Sequence, residues 1–88
     1  MTEGIDMLIE TLKRAASGEN IDVQYVRTIT FDLKDRIVEK AANTSWMRLR
    51  HFADDIDIRS RDPDYDKQMR QEMDWRWREL VDLLAAQR

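Results

Sequence analysis

Apolar residues along this chain recur at helical spacing. Between Thr2 and Ala16, the residues Ile5, Leu8, Ile9, Leu12, Ala15 and Ala16 fall on one face at i, i+3, i+4, i+7 intervals, the mark of an amphipathic helix. Acids Glu3, Asp6 and Glu10 stand early, and Lys13 and Arg14 late, the order the helix dipole favours. The pattern predicts a helix over 2–16. Gly18 is placed to end it, and Asn20 or Asp22 to cap the next one.

The second segment carries conflicting signals. Ile21, Val23, Val26, Thr28, Ile29 and Thr30 are β-branched, so local preference leans to strand. Yet Val23, Val26, Ile29, Thr30, Leu33, Ile37 and Ala41 gather around one helical direction, and Asp32 with Arg36 makes an i, i+4 pair. A stripe sustained over about five turns outweighs propensity, which is a weak prior. It predicts one long helix over 22–42; the alternative is an α+β chain with a strand near 23–31 and a helix from Asp32.

Asn43-Thr44-Ser45 reads as a polar break and cap. Trp46, Leu49, Phe52, Ala53 and Ile56 then recur at helical spacing and predict a third helix over 45–55. An acidic surface loop at about 54–62 follows. Asp62-Pro63 opens the last helix, with a capping acid and then proline at the first helical position. Its buried stripe is Tyr65, Met69, Met73, Trp77, Leu80, Val81 and Leu84, with Glu72–Arg76 and Asp74–Arg78 as i, i+4 pairs. It extends over 63–86.

These elements describe an all-α fold: one domain over 1–88, a small bundle of three to four helices. The last helix would be about 36 Å long at ~1.5 Å per residue. A compact monomer of this length is only about 30 Å across. An overhanging amphipathic helix needs cover, so the expectation is a homodimer, the commonest oligomer.

Composition narrows the chemistry. The 88 residues include no cysteine and a single histidine, His51. That removes disulfides, thiol nucleophiles and zinc fingers. Asp62-x-Asp64-x-Asp66 has the spacing of the first calcium ligands of an EF-hand, but Lys67 and Met73 occupy the positions that need Gly and Glu. Asp54, Asp55 and Asp57 have no phosphate loop or base beside them to complete a magnesium site. His51 lacks an evident orienting carboxylate. The expectation is therefore no enzyme, no cofactor and no metal. The longest apolar run, Leu83-Leu84-Ala85-Ala86, is four residues, far below the ~18–20 of a membrane span. With an acidic, amphipathic start, the expected location is cytoplasmic and off the membrane.

The 15 basic residues, 11 of them Arg, face 18 acids, for a net charge of −3. An acidic total does not favour nucleic acid as the partner. Arg27-Thr28-Ile29-Thr30-Phe31 followed by Asp32 to Ala41 nevertheless resembles the strand and first helix of ribbon-helix-helix repressors. That resemblance implies a dimer built on paired strands, with Arg27, or Thr28 and Thr30, contacting bases as a repressor or antitoxin does.

The favoured function is binding of a protein partner, as a regulator, adaptor or inhibitor. Trp75 lies away from the buried stripe of the last helix, on a charged face. Either another part of the chain covers it or a partner does. With Arg76, Arg78 and Glu79 it forms the first candidate surface. Trp46, Arg48, Arg50 and His51 form a second, where basic and aromatic residues interleave without acids. Asp54, Asp55 and Asp57 form a third, suited to a basic partner.

Overall fold

The computed structural model describes residues 3–86. Thr2, expected in the first helix, lies outside the described residues. Five helical segments follow in order: α1 (Glu3–Ala16), α2 (Val23–Thr28), α3 (Arg36–Asp54), α4 (Ile56–Arg61) and α5 (Pro63–Ala86). The chain is mostly helical, and no strand occurs among the described residues.

The first helix forms as its pattern requires. Ile5, Leu8, Ile9, Leu12 and Ala15 are all buried. Gly18 terminates it at φ 114°. The Glu19 N–H donates to Arg14 O at 3.1 Å and the Gly18 N–H to Ala15 O at 3.4 Å, the paired bonds of a Schellman cap. Asp22 then caps α2 by accepting from the Gln24 N–H at 2.9 Å.

The long second helix expected over 22–42 does not form. Helix α2 stops at Thr28, whose hydroxyl donates to Tyr25 O at 2.6 Å. The β-branched run Thr28-Ile29-Thr30 loses rotamer freedom in a helix, and from Ile29 the chain is irregular as far as Asp35. Along this stretch Ile29 is buried and Phe31 and Leu33 are half-buried, while Thr30, Asp32 and Lys34 are exposed. The period is two, yet among the described residues no second strand pairs with it. The alternative strand over 23–31 is equally absent, since Val23–Thr28 is helical. The paired strand of a ribbon-helix-helix protein therefore has no counterpart here. Asp32 lies outside any helix, so the expected Asp32–Arg36 helical pair does not exist.

The segment Ile29–Asp35 crosses α1 at Gly4. A Cβ there would overlap Thr30 O and stand 2.7 Å from the Thr30 carbonyl carbon. Glycine is required by this close approach of backbone.

Helix α3 begins at Arg36, nine residues before Ser45, the start expected for the third helix, because Asp35 caps it. Its carboxylate accepts from the Ile37 N–H at 2.9 Å and the Val38 N–H at 3.0 Å. Asn43-Thr44-Ser45 is no break. The Thr44 hydroxyl donates to Lys40 O at 3.0 Å, one turn back, so it is satisfied inside the helix. Ser45 is fully buried in the α3 core stripe of Val38, Ala42, Ser45, Leu49 and Phe52. Ile37, assigned to the buried stripe on a different register, is 68% exposed.

The expected acidic loop over 54–62 is folded into α4. Its buried member is Arg59, and its charge is held within the fold. Arg59 donates through Nε to Phe52 O at 2.9 Å and through Nη1 to Asp66 at 2.9 Å, and it lies 3.6 Å over the Phe52 ring. Arg70 completes the cluster, binding Asp66 at 2.9 Å and Ala15 O, near the α1 C-terminus, at 2.6 Å. One carboxylate and two guanidiniums thus tie α4, α5 and the end of α1 together.

Asp62 caps α5 by accepting from the Tyr65 N–H at 3.1 Å. Met69, Met73 and Leu80 are buried, with Tyr65, Trp77 and Leu84 packed around them. Val81, expected in the stripe, is 39% exposed. The molecule measures 42 × 23 × 17 Å. Its long axis accommodates the about 36 Å of α5, so the overhang argument for a homodimer loses its premise. No helix among the described residues is long and apolar enough to cross a membrane.

Candidate functional site

Helices α3 and α5 run antiparallel along much of their length. Near the middle they are fastened by Arg48, whose Nε and Nη2 grip Glu72 at 2.8 and 3.0 Å. Arg76 binds the same carboxylate at 2.7 Å. The bidentate bond from Arg48 holds Glu72 below the usual carboxylate range, against the opposing effect of burial, with Arg76 adding to it. The Arg48 guanidinium is correspondingly raised.

Beyond this clamp, toward the start of α3 and the end of α5, the helices leave an open groove of about 630 Å³. Ala41 and Thr44 are too short to fill the space opposite Trp75 and Leu83. Ile37 and Trp75 supply exposed apolar surface, at 68% and 47% of their full areas. Arg36 and Lys40 stand on the α3 side, Arg76 and Glu79 on the α5 side.

The three tryptophans differ in how they are held. The Trp46 indole N–H donates to Val26 O at 2.9 Å, closing the end of α2. The Trp77 N–H donates to Asp74 at 3.1 Å, with Lys13 and Arg78 over its ring at 4.9 and 4.7 Å. Trp75 has no protein acceptor for its N–H among the described residues, and only Arg76 stacks on it, at 4.3 Å. A ring of this size gains several kcal/mol from full burial, about 25 cal/mol per Å². Half of that gain is unrealised at Trp75.

The first candidate surface is brought together in part: Trp75, Arg76 and Glu79 line the groove. Arg78 does not join them, since it binds Asp74 at 3.1 Å and stacks on Trp77. The second surface is dispersed around α3. Trp46 turns to α2 and Arg48 to α5, while Arg50 lies 5.7 Å from the Trp46 ring. His51 and Arg50 border a shallow 220 Å³ depression with Met47 and Asp54. The third surface is partly consumed. Asp55 accepts from the Tyr65 hydroxyl at 2.7 Å, which raises the tyrosine pKa, while Asp54 and Asp57 are exposed. Among the described residues no group of three or more acids or histidines is arranged to hold a metal.

Arg36, Ile37, Lys40, Ala41 and Leu83 are groove residues that sequence reasoning missed. A signal was present: Val38, Ala42, Ser45, Leu49 and Phe52 keep a helical period straight through the supposed break, which puts Ile37 and Lys40 on the outer side. No protein-family model, curated protein or solved structure matches the chain.

Proposed function

We propose that this chain is a small non-enzymatic protein that acts by binding a partner protein, as a regulator, adaptor or inhibitor, through the groove between α3 and α5. The observation that carries the reading is Trp75: a half-exposed indole with an unpartnered N–H, beside the exposed Ile37, on an open apolar floor. Trp and Arg are the residues most enriched at binding hot spots. Covering the remaining half of Trp75 alone would bury roughly 100 Å² and contribute on the order of 2 kcal/mol.

Trp75→Ala tests this. Partner capture from the native host and thermal unfolding are measured together on the wild-type and substituted chains. The expected result is loss of the captured partner from a chain that still folds, its melting temperature lowered by roughly 10 °C for the half of Trp75 that is already buried. Intact capture with a large loss of stability would make Trp75 a core residue and remove the proposal.

A further inference from the structure

We infer that the occupant of the α3–α5 groove is an acidic amphipathic helix of the partner protein. This rests on the groove being the binding surface, and adds what it binds.

The shape argues for a helix. The groove runs between two antiparallel helices, and its α3 wall spans Arg36 to Thr44, about two turns. A helix laid there would complete a three-helix arrangement, with anchors at i, i+3 or i+4 and i+7 over Ile37, Ala41 and Trp75. A small-molecule site would enclose most of its ligand, whereas this groove is open along its length.

The charge argues for acidity. Arg14, Arg48, Arg59, Arg70, Arg76 and Arg78 each have an intramolecular carboxylate partner. Arg36 and Lys40 form no ion pair among the described residues, and both stand free at the mouth of an apolar surface. The one carboxylate lining the groove is Glu79. A second copy docked face to face would bring two such cationic edges to one interface, so charge favours a different, acidic chain.

The test uses the full chain and two synthetic helical peptides of about 16 residues, long enough to hold helix. Both carry the same leucine stripe at i, i+3, i+4 and i+7; one is flanked by Glu and the other by Lys. Binding is followed by NMR at Ile37, Ala41 and Trp75 in low salt. The acidic peptide should bind at least about tenfold more tightly, a difference of ~1.4 kcal/mol, and its affinity should fall as salt is added. In the double variant Arg36→Glu/Lys40→Glu, which alters two exposed and unpaired side chains, the preference should reverse. Equal affinities, or a preference for the basic peptide, would overturn the acidic assignment and leave the groove as the binding surface. No shift at the three residues with either peptide would overturn both. Shifts that grow with protein concentration alone would assign the groove to a second copy and overturn the inference. Shifts with an oligonucleotide in place of the acidic peptide would assign it to nucleic acid, with the same consequence.

Discussion

Replacing Gly4 by alanine should destabilise the fold, although helix preference argues the opposite. Within a helix, alanine is favoured over glycine by about 0.5–1 kcal/mol. Here the added Cβ would overlap Thr30 O, 2.7 Å from the Thr30 carbonyl carbon and 3.1 Å from Phe31 Cα. All of these are backbone atoms, so no side-chain rotation relieves the overlap. Ordinary carbon–oxygen approach is about 3.3–3.6 Å, and the crossing segment must retreat toward that distance. It carries Ile29, 3% exposed, and the half-buried Phe31 and Leu33. Overpacking of this kind costs about 1–3 kcal/mol. An overlap this deep with backbone belongs at the upper end of that range, so about 2 kcal/mol of destabilisation remains after the helix gain. The whole stability of a chain this size is about 4–13 kcal/mol, so the change is measurable. The melting temperature should fall by roughly 5–15 °C, followed by far-UV circular dichroism and checked by urea unfolding. A variant as stable as the wild type, or more so, would show that Ile29–Asp35 does not cross α1 at Gly4.

Three further outcomes follow from named contacts. Asp35→Ala should cost about 1 kcal/mol as a lost cap, whereas Ser45→Ala should be neutral or stabilising, because the Ser45 hydroxyl is buried without a partner; urea midpoints in the opposite order would restore a helix start at Ser45. Arg59→Ala removes one of the two guanidiniums on Asp66, leaving Arg70, and should cost about 1.5–3 kcal/mol, with Arg59→Lys in between; a loss below about 1 kcal/mol in urea unfolding would mean the cluster is not structural. Burial alone would raise Asp66, but Arg59 and Arg70 outweigh it and lower its pKa, and Glu72 is likewise lowered. Lowered carboxylates stabilise the fold above the unfolded value, about 4, and that contribution is lost as pH falls through the folded values. Glu72→Gln should therefore flatten the acid limb of a stability–pH curve; an equally steep limb would remove Glu72 from the account.

Much of this architecture was legible in the residue pattern, for identifiable reasons. Helices α1 and α5 carry long stripes with caps at recognisable positions: Gly18 at one end, Asp62-Pro63 at the other. The Glu72–Arg76 and Asp74–Arg78 pairs form as their spacing requires. The middle of the chain was misread because two local signals pointed the wrong way. The β-branched Ile29 and Thr30 do leave the helix, but they enter an unpaired crossing segment whose partner, Gly4, is distant in sequence. Polar residues at 43–45 look like a cap, yet a Thr hydroxyl can bond one turn back and a small Ser can be buried. The same register shift hid the groove. Trp75 stood out as a tryptophan on a charged face, while Ile37 and Lys40 needed the correct start of α3 at Asp35. The Arg59–Asp66–Arg70 cluster was invisible because charges in an acidic stretch give no local sign of burial.

The groove is tested most directly by photo-crosslinking in the native host from two positions of the full chain. A photoreactive residue replaces Ile37 inside the groove in one variant and the exposed Glu10 on α1 in the other. The account predicts a discrete partner adduct from position 37 and none from position 10. An adduct from position 10 with none from position 37, or adducts only between copies of this chain, would contradict it.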